Sequence, residues 1–152
     1  MNLSPDFSTL QLVLDGDTDI LIRRDFNHPP ATVWRGLTDP ALIPRWLEGM
    51  THCEMDLRPG GSFRYDFDAF SFTGQIVEVQ APHRLVHIEH FSRDPAYRVE
   101  STVTLAAHGT GTRMTNVLRY ADATARAAAI KNGFTDGLDD VYGRLDALDI
   151  PG

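Results

Sequence analysis

The sequence predicts an α+β fold, a strongly curved antiparallel sheet wrapped on a long C-terminal helix, with two short helices near the N-terminus. Three observations predict it. Strand-like runs follow one another between His52 and Tyr120, with connections too short for crossover helices. From Asp122 to Leu148 the apolar residues recur instead at steps of three and four, which marks one face of a helix. Ahead of the strands, closely spaced prolines divide residues 28–47 into two short helical segments. A sheet and a helix that each carry one apolar face bury both most simply against each other.

The stretch "STLQLVLDGDTDILIRRDF" reads as two alternating runs joined by a turn at Asp15 to Asp19, a hairpin. The acidic turn invites comparison with a calcium loop, which needs glycine at its sixth position and a bidentate glutamate at its twelfth. Counted from Asp15, those positions hold Ile20 and Phe26, so calcium fails and a plain turn is expected. In "HPPATVWRGLTDP", Pro29 and Pro30 suit the first turn of a helix whose apolar residues are Val33, Trp34 and Leu37. Trp34 is expected in the core. Thr38 or Asp39 can cap the next helix, with Pro40 at its first position and Pro44 limiting it to a turn or two. Trp46 leaves this kinked segment either to fill the core or to form the wall or mouth of a cavity.

The strand-like runs are "HCEMDL", "SFRYDFDAF", "FTGQIVEV", "RLVHIEHF", "YRVESTVTLAA" and "TRMTNVLRY". "RPGG", "QAPH", "SRDP" and "HGTG" supply glycine or proline where the chain should turn. Alternation places Phe63, Tyr65 and Phe67 on one face of their strand, aimed at the helix. Leu85, His87, Glu89 and Phe91 share a face of the next-but-one strand, and Met114, Asn116, Leu118 and Tyr120 a face of the last. If those faces are internal, His87 and Glu89 become neighbours in a low-dielectric groove, where burial and charge tune an acid or base. They would supply only two of the three or more ligands a metal needs, so no metal is expected. Asn116 on an apolar face requires a hydrogen-bond partner, which a ligand, a water or the protein can provide.

Along the final helix the apolar stripe runs Ala127, Ile130, Phe134, Leu138, Val141, Leu145 and Leu148. Gly133 and Gly137 fall inside it, each costing roughly 1 kcal/mol against alanine, which implies close approach to another element. Phe134 and Leu138 then face the sheet.

Composition narrows the function classes. At 152 residues the chain is most economically one domain with a core that needs no metal or disulfide staple. The net charge of −7 and the lack of a lysine–arginine cluster argue against nucleic acid and anionic membranes as partners. No apolar run approaches the roughly 20 residues of a membrane span, no signal peptide is visible, and Cys53 is the only cysteine. A cytoplasmic location is therefore expected. P-loop, dinucleotide, HExxH and nucleophile-elbow patterns are absent, so neither a cofactor nor a catalytic residue is assigned.

The order of elements resembles the helix-grip fold of the START-like (SRPBCC, Bet v-like) superfamily. "RDFNHPPATVWRGLTDPALIPRWL", "DLRPGGSFRYDF", "GQIVEVQAPHRLV", Thr112 and the Gly133–Phe134 pair narrow the likeness to the heat-shock-protein-90 ATPase activator homologue-like family, over residues 20–148. That family usually has tryptophan where Phe134 stands and often an aromatic near Glu89. The resemblance implies a groove between sheet and helix, with Trp46 near its rim and a small, mainly hydrophobic ligand inside. Its walls would be Trp46, Phe63, Tyr65, Phe67, His87, Glu89, Phe91, Met114, Asn116, Leu118, Phe134 and Leu138. It implies two alternatives: a chaperone-interaction module, or a cyclase- or hydrolase-like enzyme with His87 as base and Glu89 as its orienting partner. A chaperone or a second copy of the chain are the macromolecular partners it leaves open.

Overall fold

The structure, a computed structural model, describes residues 10–150. A single antiparallel sheet dominates it. The strands are β1 (Gln11–Asp15), β2 (Asp19–Phe26), β3 (Met50–Met55), β4 (Ser62–Phe67), β5 (Ser71–Gln80), β6 (Arg84–Phe91), β7 (Asp94–His108) and β8 (Gly111–Tyr120). Their spatial order is β1-β2-β8-β7-β6-β5-β4-β3. Strands β3 to β8 thus form the expected meander, and the N-terminal hairpin is added at its far end, where Asp19–Phe26 pairs with Thr112–Arg119. Each predicted run matches one strand, because alternation and turn chemistry agree at every connection.

The acidic turn between β1 and β2 is a hairpin turn. Its carbonyls are engaged by a guanidinium: Arg126 donates to the carbonyl oxygens of Asp15, Gly16 and Asp19 at 3.3, 2.9 and 3.0 Å. Arg119 grips the Asp19 carboxylate with two bonds of 3.0 Å. This second contact holds the Asp19 carboxyl below its ordinary range.

Two short helices follow, α1 (Pro30–Thr38) and α2 (Ile43–Trp46). Pro30 starts α1 as expected. The second helix starts later than predicted. Asp39 accepts from the Ala41 amide, and its carbonyl takes the amides of Leu42 and Ile43, so residues 40–42 form a turn. Pro44 consequently lies in the first turn of α2, where its missing N–H costs nothing, instead of ending the helix. Trp34 and Trp46 are both buried.

The long C-terminal helix is not formed. Two helices of nine residues replace it, α3 (Ala123–Lys131) and α4 (Leu138–Asp146). Gly133 and Gly137 take φ of 86° and 68°, a left-handed backbone that glycine tolerates and a helix interior cannot contain. At the end of α3 the Gly133 amide donates to the Ile130 carbonyl and the Phe134 amide to Ala129, the paired reverse bonds of a Schellman turn. Gly137 then caps α4, with Asp139 and Asp140 in its first turn. The glycines are therefore a stop and a start. Ala127, expected on the apolar stripe, is exposed, and Ala129 is buried in its place.

The core lies on the concave side of the sheet in two parts. Beneath α1, α2 and α4 are Phe26, Val33, Trp34, Ile43, Trp46, Phe63 and Leu145. Beneath α3 are Ile20, Ile22, Val99, Tyr120 and Ala129. Arg24, nearly fully buried on β2, ties the sheet to α4 through the Asp139 carboxylate at 2.9 Å. No helix among the described residues is long and apolar enough to cross a membrane.

Candidate functional site

Between the two halves of the core lies a cavity of about 240 Å³. Antiparallel pairing brings its sheet wall together, since residues two apart on one strand face the same side. Strand β4 contributes Phe63, Tyr65 and Phe67; β6 contributes Leu85, His87 and Glu89; β7 contributes Tyr97, Ser101 and Val103; β8 contributes Asn116, Leu118 and Tyr120. Trp46, Phe134, Leu138, Val141 and Tyr142 close it from the helical side.

Ten of the twelve residues expected at the groove line it, Phe91 and Met114 being the exceptions. The pairing of β6 with β7 shifts register between His90 and Phe91. The Phe91 ring packs against two residues that do line the cavity, 5.0 Å from Phe72 and 5.1 Å from Phe134. Met114 is fully buried in the core beneath α1 and α4. Trp46 is wall and core at once: its indole Nε1 donates to the Gly36 carbonyl at 2.8 Å, and its ring stacks on Tyr142.

Tyr97, Tyr142, Phe72 and Ser101 line the cavity without having been singled out. The signal for Tyr97 and Ser101 was present: Tyr97, Val99, Ser101 and Val103 alternate on one face of β7. Tyr142 stands four residues after Leu138, on the same side of α4.

The polar groups converge on one region. Tyr97 donates to Glu89 Oε2 at 3.3 Å, and Ser101 Oγ donates to Asn116 Oδ1 at 2.9 Å. No hydrogen bond joins His87 to Glu89 among the described residues. The His87 ring instead packs edge-on against Phe63, with centroids 5.0 Å apart. The expected base-and-orienter pair is therefore not assembled. Both side chains keep some surface facing the cavity while protein encloses the cavity itself. That enclosure pushes His87 down to about 4 and Glu89 up to about 7, the latter opposed by the Tyr97 hydrogen bond. All four tyrosines of the chain line the same space. Burial, with the Glu89 charge adding to it, raises each phenol above its ordinary range, so the hydroxyls stay protonated. The Tyr120 hydroxyl is buried with no hydrogen-bond partner of ordinary geometry. Among the described residues no three His, Cys, Asp or Glu side chains converge as a metal site.

Comparison with solved structures places this architecture among known proteins. A crystal structure of a Rhodobacter sphaeroides protein is 28% identical, with a TM-score of 0.83 over 91% of this chain and 96% of that one. Protein Ms6760 from Mycobacterium smegmatis is 24% identical, with a TM-score of 0.85 over 95% and 99% of the two chains. Protein NE0264 from Nitrosomonas europaea is 28% identical, with a TM-score of 0.76 over 88% and 94%. No match was found among curated protein sequences. The family model described as "Activator of Hsp90 ATPase homolog 1-like protein" matches residues 27–148, and the chain belongs to that family.

Proposed function

We propose that this protein binds a small, mainly hydrophobic molecule in the cavity between the sheet and the C-terminal helices. One observation carries the reading: aromatic and aliphatic walls surround a few convergent polar groups, namely Glu89, Ser101 and Asn116. That is the general character of small-molecule sites, where apolar area gives affinity and placed polar atoms give orientation. A cavity of roughly 150 Å³ is known to hold benzene. The space here therefore suits a body of one or two rings.

Native mass spectrometry after incubation with a small-molecule extract of the source cells tests the reading. The expected result is a reproducible added mass that is lost in Leu118→Trp, whose indole fills the space. Retention of the same mass by that variant, or a bare protein across all extracts, removes the reading.

The family's description favours a second reading, an interaction module acting on an Hsp90-type chaperone. A changed chaperone ATPase rate on addition of this protein is its expected outcome. An unchanged rate together with no co-purification would dismiss it.

A further inference from the structure

The cavity contains one ionisable carboxyl, Glu89, and no cationic side chain among the described residues lines the cavity to neutralise it. Glu89 stands mid-strand on β6, held by pairing to Gly74 on one side and Val99 on the other. Its carboxylate can accept about four hydrogen bonds. It receives one, the long contact from Tyr97. No arginine or lysine lines the cavity. An enclosed carboxylate without a cation is costly, so it either keeps its proton or takes a positive partner. The nearest base, His87 on the same strand, is held neutral by burial.

The surroundings select among ligands. Four tyrosines share the cavity with Glu89, Tyr65 on β4, Tyr97 on β7, Tyr120 on β8 and Tyr142 on α4, each near enough to feel its charge, and Tyr97 bonds it directly. Apart from Tyr142, strand β5 and the chain from α3 through α4 add only apolar side chains: Phe72, Ile76, Phe134, Leu138 and Val141. Aromatic faces attract cations through the ring quadrupole, and do so more strongly when the cation is desolvated. A carboxylate ligand would meet like charge, and an alcohol could donate to Glu89 without neutralising it. The net charge of −7 further favours the approach of cations over anions.

We infer that the cavity selects a hydrophobic amine, with an apolar body of one or two rings and a protonated nitrogen seated against the Glu89 carboxylate among the tyrosine rings. This deepens the ligand-binding reading and rests on it.

Isothermal titration calorimetry with three probes of one shape tests the inference: 4-phenylbutylamine, 4-phenylbutanol and 4-phenylbutyrate. Near pH 8 the amine is expected to bind at least about tenfold more tightly than the alcohol, with the carboxylate weakest. Glu89→Gln erases the amine's advantage and leaves the alcohol's affinity within about threefold. In the wild-type protein, lowering the pH to about 5.5 weakens the amine as Glu89 takes up its proton, and leaves the alcohol unchanged. This pH series needs no variant and stands even if Glu89→Gln folds poorly. Equal binding of amine and alcohol, or an advantage that survives Glu89→Gln, overturns the inference while the ligand-binding reading stands. Failure of all three probes to bind overturns it together with that reading.

Discussion

Acidic groups in two regions of this molecule meet opposite treatment. On β2 and its neighbours, charges taken from water are matched: Asp25 accepts from Arg113 at 3.0 and 3.2 Å, and buried Arg24 is paired with Asp139. Glu89 in the cavity, by contrast, has only a phenol. The outer pairs hold elements together, β2 to β8 and β2 to α4. Among the described residues the inner carboxyl makes no ion pair, only the long Tyr97 contact between β6 and β7. A polar group that folding leaves unmatched is a group available to something else, which is why perturbed titration in a cleft points to function.

The contrast can be broken by experiment, because neutralising the two kinds of acid should move stability in opposite directions. Glu89→Gln is expected to stabilise the protein near pH 8 by on the order of 3 kcal/mol, read as the difference in urea unfolding free energy. The sign follows from the proton balance. Glu89 titrates near 4.5 when unfolded and near 7 when folded. Between those values the folded state binds the extra proton, so wild-type stability falls as pH rises through the window. The variant lacks this fall. Below about pH 4.5 the two proteins should agree, and a gain that persists there would mean the substitution acts by some other route.

Asp139→Ala should do the reverse, costing about 2 kcal/mol because it strands the Arg24 guanidinium. Asp139 also accepts the Leu10 amide, so amide exchange at Leu10 should quicken in the same variant. Gly133→Ala is expected to cost about 1–2 kcal/mol, since alanine there must hold a left-handed backbone. It also disturbs Phe134, which stacks on Tyr97 with centroids 4.6 Å apart. A variant as stable as the parent would show that the turn is not needed. Tyr97→Phe should have the smallest effect. It removes the one hydrogen bond that favours the ionised Glu89, so the midpoint of that carboxyl, followed by carbon NMR, should move up from about 7.

Most of the sheet was legible because local and global signals agreed. In "SFRYDF" and "RLVHIEHF" the side-chain alternation that makes a strand also chooses which side chains face the cavity. The broken C-terminal helix was misread for a physical reason. Ile130, Phe134, Leu138 and Val141 keep a three-and-four spacing across the interruption, so periodicity alone carries straight through it. The stop was written in another code: Asn132–Gly133 at the end of α3, then Gly137 with Asp139 and Asp140 in the turn after it. Glu89 and His87 were recognised as neighbours on one face, but their lack of mutual contact was not. That depends on Tyr97, which reaches Glu89 from the adjoining β7, and on Phe63, which meets His87 from β4, beyond β5. Phe91 misses the cavity because the rings of Phe72 and Phe134, from other elements, pack against it, which a single strand's pattern does not record.

The place of β2 in the sheet has a consequence for how the protein is made. Its partner is β8, and Ile20 pairs with Leu118 across most of the chain. During synthesis at 5–20 residues per second, β2 leaves the ribosome roughly 5–20 s before β8 can receive it. Throughout that interval the strand that carries Ile20, Ile22 and Phe26, all buried at the end, has only the short β1 as a pairing partner. Contacts so distant in sequence also slow folding itself. The nascent chain should therefore be most vulnerable to aggregation and to capture by holding chaperones before residues 111–120 emerge, and a ribosome stalled within β7 is the state in which to look.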